Sequence, residues 1–211
     1  DRVAAVLPNT ADALIGFLAA ATIGAVWTIS SPDLTVTATL ARLRQLEPKV
    51  LITSTGYTFN GAWIDLTDYN VELLEQLPSI QRHMDVEHFR SAPVNGPERY
   101  YRVGFEHPLW ILFSSGTTGD PKGIVHSHGG MLLEALKSKA LHQDMTLEDR
   151  YYVAANTSWM VWNTLSHALA CGASVVVYGG SPKVHGPDRQ FEVIAKTGAT
   201  RFAVGAPYLT M

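Results

Sequence analysis

Two periods of apolar and polar positions alternate along this chain, and the switches between them mark its elements. Residues 3–7, VAAVL, form an unbroken apolar run closed by Pro8, the pattern of a buried strand. Asn9 and Asp12 offer a helix cap with an acidic first turn, ahead of an apolar helix that reaches Ile23 and stops at Gly24. Residues 25–29 return as a strand, and Ser30, Ser31, Pro32 and Asp33 make a turn. Over residues 35–46, Val36, Leu40, Leu43 and Leu46 fall on one helical face with Arg42 and Arg44 off it. Pro48 ends that helix, and residues 49–53 read as the next strand. This β-α-β-α-β rhythm predicts an α/β fold with mostly parallel sheets and helical crossovers.

From residue 54 to 106 the pattern weakens to a short strand at 63–66 and a short helix at 71–77. Residues 90–105 carry Pro93, Gly96, Pro97 and Gly104 and read as an irregular connection. A boundary near residue 106 therefore divides a first α/β lobe, 1–105, from a second, 106–211. In the second lobe, strands are expected at 109–113, 124–126, 151–155, 173–178 and 200–204. Between them a helix starts at Gly129, with Met131, Leu132, Leu136 and Leu141 as its apolar face. Another opens at Trp159 and reaches Leu169, and a third, at 189–196, is capped by Asp188 and stopped by Gly198.

Composition changes this picture little. An apolar fraction of 46% with 17% charged residues belongs to a soluble globular protein. A net charge of −3 with no basic run favours neither nucleic acid nor an anionic membrane surface. The single cysteine, Cys171, excludes an internal disulfide and fits a reducing, cytoplasmic compartment. Residues 13–29 lack charge for about the shortest length that spans a bilayer. Gly16, Gly24 and the absence of a basic flank favour a buried helix turning into a strand. The chain opens at Asp1, already strand-like, as though entered within a domain.

The candidate chemistry lies where the strand at 109–113 opens into SSGTTGDPKG. Glycines let backbone N–H groups approach an anion, hydroxyls donate further hydrogen bonds, and a lysine adds a point charge, so the run is built to hold phosphate. A plain surface turn uses the same residue types but rarely so many together. It is not a P-loop: the glycine spacing differs, Lys122 follows a proline, and Gly123 stands where a magnesium-binding hydroxyl belongs. A kinase-like NTPase, releasing ADP, is the enzymatic rival, and a noncatalytic α/β ligand-binding module is the other.

In open α/β sheets ligands bind beyond the carboxyl ends of the strands. Three segments stand at such ends: 114–123, 156–162 and 205–207. They are expected to converge on one cleft, with Trp159 and Met160 walling a small organic substrate beside Gly205, Ala206 and Pro207. Trp162 reads equally well as core. His126 and His128 share a strand face, but no third metal ligand is near in sequence, and His128 is expected instead to orient the site or the acyl group. No Gly-x-Ser-x-Gly elbow is present. A phosphate grip without a nucleophile suits a carboxylate substrate, which is already ionised at neutral pH and can attack phosphorus unaided.

The loop resembles the phosphate loop of the adenylate-forming enzymes, which include acyl-CoA synthetases, peptide-synthetase adenylation domains and luciferases. SSGTTGDPKG meets every fixed position of their Ser/Thr-Gly-Ser/Thr-Thr-Gly-x-Pro-Lys-Gly signature. The surrounding HPLWILF, SWMVWN, LACGASVVVYGGSP and the early DRVAAVLPNTADALIGFLAAATIGAVWTISSPDL extend the likeness to short-chain acyl-CoA synthetases over nearly the whole chain. The resemblance implies part of the large N-terminal domain of such an enzyme, using ATP, Mg²⁺ and coenzyme A on a short carboxylic acid, acetoacetate first, or else acetate or propionate.

By position, the resemblance assigns Ser114, Ser115, Gly116, Thr117, Thr118, Gly119, Lys122 and Gly123 to the phosphates. Thr118 and Lys122 would serve the reaction itself, with Thr118 also meeting Mg²⁺, and Trp159 would limit acyl length. Gly123 and Ser158 depart from the subfamily pattern, where alanine and glycine are expected. The family's later acidic motif, ribose-binding aspartate and C-terminal lysine would lie beyond Met211, so this stretch alone is expected to have little ligase activity.

Overall fold

The computed structural model describes residues 1–91, 99–114, 119–184 and 186–210. The first half runs β1 (Arg2–Val6), α1 (Ala11–Thr22), β2 (Val26–Ser30), α2 (Val36–Leu43) and β3 (Val50–Thr53). A hairpin, β4 (Gly56–Phe59) and β5 (Ala62–Asp65), is followed by α3 (Thr67–Glu75), β6 (Arg82–Asp85) and α4 (Val86–Ser91). The second half runs β7 (Pro108–Ser114), β8 (Lys122–Ser127), α5 (His128–Ala135) with a π-helical continuation at Leu136–Leu141, β9 (Arg150–Val153) and α6 (Met160–Ala170). It closes with β10 (Ser174–Val176), α7 (Arg189–Thr197), β11 (Arg201–Ala203) and the short α8 (Ala206–Leu209).

Among the described residues the main sheet has the order β6-β3-β1-β2-β7-β8, parallel except for the antiparallel edge strand β8. A second, parallel sheet has the order β10-β9-β11. Residue 106 is not a divide between the sheets, because β7 and β8 hydrogen-bond onto the strands of the first half.

The unbroken apolar run of β1 follows from burial on both faces. Val3 and Ala5 join the core shared with α1, α6 and β9, whereas Ala4 and Val6 pack with Leu40, Leu43, Leu51 and Leu73 under α2 and α3. Trp27 and Trp110 are register partners in β2 and β7, and the Phe17 ring of α1 lies 6.4 and 5.3 Å from them. That aromatic cluster ties the sheet to its first helix.

Thr35 caps α2 by accepting from the Ala38 N–H at 3.2 Å, and Gly198 ends α7 in the left-handed region at φ 63°. Thr10, not Asn9, is the N-cap of α1, because the Asn9 side chain is engaged elsewhere. Asp188 precedes α7 without a side-chain capping bond. The expected apolar face of α5 is only partly buried: Met131 is covered, but Leu132 and Leu141 are exposed. The π-helical turns at Leu136–Leu141 shift the later side chains off the helical period. The weakly patterned region holds β4, β6 and α4, which sequence alone leaves undetected, since short half-exposed strands have little periodicity. No helix among the described residues is long and apolar enough to cross a membrane.

Candidate functional site

The parallel strands β1, β2, β9 and β11 deliver their carboxyl ends to one region, and side-chain hydrogen bonds stitch those ends together. The Asn9 amide donates to the Ala155 carbonyl at 3.2 Å and accepts from the Trp162 indole at 2.8 Å. Thr157 Oγ1 donates to the Leu7 carbonyl at 2.8 Å, and the Ser31 N–H donates to Ser158 Oγ at 2.7 Å. The segment leading into α6 is thus fixed to the ends of β1 and β2. Trp162 is buried by this arrangement and belongs to the core.

A cavity of about 490 Å³ opens between the two sheets at this edge. Trp159, Val161, Tyr57, Asp33, Gln190 and Gly205 are among its walls. Asp33 accepts from Tyr57 Oη and Ser31 Oγ, both at 2.8 Å. Burial, with the Asp33 carboxylate beside it, pushes the Tyr57 phenol up, so it stays a neutral donor. Among the described residues no lysine, arginine or histidine lines this space. An adjoining cavity of about 610 Å³ shares Pro8, Tyr57, Tyr178, Gly179 and Gly180 with it, and Arg90 and Arg189 stand in its walls.

Of the phosphate-loop residues, Ser115, Gly116, Thr117 and Thr118 lie outside the described residues. Ser114 ends β7, and its register partner across the hairpin is Lys122, while Gly123 faces Phe113. Lys122 and Gly123 are therefore strand residues. The Trp27–Trp110 pairing, with Thr28 Oγ1 donating to the Ile111 carbonyl at 2.9 Å, sets the register of β7 against β2. Counted on in parallel, that register brings Ser114 level with Ser31, which lines the cavity. Lys122 is exposed and has no ion-pair partner among the described residues. A Cβ at Gly123 would come within 3.2 Å of Ile111 and 3.4 Å of Phe113, so a larger residue there needs those side chains to give slightly.

The other expected site residues separate. Trp159 and Gly205 share the cavity wall; Met160, Ala206 and Pro207 are exposed nearby in sequence but do not line it. His128 is carried away: β8 runs antiparallel and Ser127 pairs with Pro108, so His128 sits at the opposite edge of the sheet from Ser114. There it borders a different, apolar cavity with Phe17, Trp110 and His167, and burial together with nearby His107 pulls its pKa down. It does not face the space around Trp159. His126 packs its ring edge against Trp110 with centroids 6.2 Å apart. Among the described residues no three His, Cys, Asp or Glu side chains gather to hold a metal ion. Asp33, Tyr57 and Gln190 were not singled out from sequence. Asp33 sat in a recognised turn, but nothing local marks Tyr57 or Gln190, which reach the cavity from distant elements.

Residues 1–210 match the family of AMP-binding enzymes. The chain is 35% identical to acetoacetyl-CoA synthetase of Danio rerio over all of its length and 35% of that relative's. It is 34% identical to malonamoyl-CoA synthetase of Penicillium aethiopicum over all of its length and 34% of that relative's. Acetoacetyl-CoA synthetase from Streptomyces lividans superposes with a TM-score of 0.94 at 39% identity, covering all of this chain and 34% of that structure. The chain thus spans about a third of the length of the relatives it matches.

Proposed function

Since the chain belongs to the AMP-binding enzyme family, we propose that it supplies the acyl pocket and part of the ATP grip of an acid–thiol ligase. The ligase joins a short carboxylic acid, acetoacetate foremost, to coenzyme A. The observation that carries this reading is the cavity at the strand ends, walled by Trp159 and Gly205, with the end of β7 level with its rim. The relatives act, by name, on acetoacetate and malonamate. Both acids are short, and a cavity of about 490 Å³ holds such a molecule beside part of a nucleotide.

In the reaction, a carboxylate oxygen attacks the α-phosphorus of ATP and the bond to pyrophosphate breaks, giving the acyl-adenylate. The coenzyme A thiolate then attacks the acyl carbon and AMP leaves. The chain's own part is positioning and charge. Ser114 and Lys122, partners across the hairpin, offer the polyphosphate a hydroxyl and a cation without an ion-pair partner among the described residues. The acyl chain packs on Trp159, with Val161 on the same wall. The adjoining cavity is the space proposed for coenzyme A; the arginines in its walls are already paired, Arg90 with Asp12 and Glu87 and Arg189 with Glu192.

Mg²⁺ would arrive on ATP, held by the phosphates with one or two protein oxygens. Mg²⁺ supplies charge neutralisation of the phosphates, and the Thr118 hydroxyl is the group of this chain proposed to meet it. The whole protein should catalyse acetoacetate-dependent exchange of pyrophosphate into ATP and form AMP. Formation of ADP, or no nucleotide turnover with any short acid, would overturn the reading.

A further inference from the structure

Gln190 is a deeply buried polar side chain in the cavity wall, with 2% of its surface exposed. It stands in the first turn of α7, far in sequence from the phosphate loop. Its Oε1 accepts a hydrogen bond from the phenol of Tyr152, a β9 residue that is itself fully buried and also lines the cavity. That bond fixes the amide plane and commits the oxygen. The Nε2 group has no hydrogen-bond partner among the described residues, which leaves it free to donate to a ligand.

Most other polar side chains of the wall are already engaged, the largely exposed Trp159 indole apart. The Asn9 amide spans Ala155 and Trp162, Asp33 accepts from Tyr57 and Ser31, and Asn156 accepts from the Ser158 N–H at 3.2 Å. With no cation lining the cavity among the described residues, the wall suits the uncharged end of an acid rather than its carboxylate. A neutral amide donor held rigidly in such a wall recognises a carbonyl oxygen.

We propose that Gln190, held in place by Tyr152, is a specificity-determining residue that donates a hydrogen bond to an uncharged carbonyl oxygen on the acyl chain. The substrate class is a short acid with an oxo or amide carbonyl at its third carbon, as in acetoacetate and malonamate. This rests on the acid–thiol ligase reading above. It accounts for a preference that apolar packing on Trp159 cannot produce, since butanoate differs from acetoacetate chiefly by lacking that oxygen.

The test compares acetoacetate with butanoate in acid-dependent pyrophosphate exchange by the whole protein, unaltered and as Gln190→Leu and Tyr152→Phe. The unaltered protein should prefer acetoacetate by about tenfold or more in kcat/KM. Gln190→Leu should remove most of that preference by lowering kcat/KM for acetoacetate much more than for butanoate. Tyr152→Phe, which frees the amide but keeps it, should lower the preference partway. An unaltered protein that uses the two acids equally overturns the proposal even if neither variant folds. So does a Gln190→Leu protein that keeps the full preference. An unaltered protein that turns over no short acid overturns the ligase reading itself, and the proposal with it.

Discussion

Trp162 and Asn9, 153 residues apart in the chain, are joined by a 2.8 Å hydrogen bond from the indole Nε1 to the amide Oδ1. The same Asn9 side chain holds the Ala155 carbonyl, so one amide fastens the end of β1 to the end of β9 and to α6. The cavity lies between those elements, and its shape depends on this fastening.

Asn9→Leu should therefore strand a buried indole N–H and a carbonyl, costing about 2–4 kcal/mol in total. A fall in melting temperature of roughly 5 °C or more by calorimetry is expected. Asn9→Asp keeps the acceptor for Trp162 and should lose less.

Lys122 is exposed on β8 and makes no ion pair among the described residues, so its removal should leave the melting temperature unchanged. If it serves the polyphosphate, Lys122→Ala should lower pyrophosphate exchange at least about tenfold. The loss should appear in the KM for ATP, while that for the acid stays within about twofold. An unaltered KM for ATP would remove Lys122 from the proposed site.

Trp159 projects into the cavity with 61% of its surface exposed, which leaves little packing to lose. Trp159→Ala should leave stability nearly intact and deepen the acyl pocket. The preference should then move toward hexanoate over acetoacetate by about tenfold or more in kcat/KM. Equal loss on both acids would show that the indole does not bound the acyl chain.

His167 stacks on Trp110 with centroids 6.2 Å apart, and burial lowers its pKa from 6.5 to about 4, with Lys139 adding to the effect. Glu134 opposes that shift and His126 reinforces it slightly. The unfolded chain takes up this proton near pH 6.5 and the folded chain does not, so the contribution is complete above 6.5 and is lost as pH falls toward 4. The denaturation midpoint should decline from pH 7 to pH 5. In His167→Leu that decline should be shallower, as urea titrations at the two pH values would show.

Local pattern carried the strands of the first half well. Residues 3–7, 25–29 and 49–53 stand within a residue or two of β1, β2 and β3, because burial on both faces of a parallel sheet leaves an unmistakable apolar run. The Ser/Thr/Gly run after residue 113 also stands out locally, but residues 115–118 lie outside the described residues. β4 and β6 were not legible: each is four residues long and only partly buried, and such short strands carry no period to read.

The site divides along the same line. The sequence alone determined a parallel α/β framework, a Ser/Thr/Gly run at one strand end and an aromatic segment at another. Tertiary structure decided which residues share a space, because that depends on strand direction and order rather than on neighbours in the chain. An antiparallel β8 removes His128 from the cleft to which its nearness to the loop would assign it. Packing of α7 and of the β4–β5 hairpin brings in Gln190 and Tyr57, whose sequence surroundings give no sign of a ligand. Hydrogen bonds between residues some 150 positions apart hold that arrangement, and no local pattern encodes a contact over such a separation.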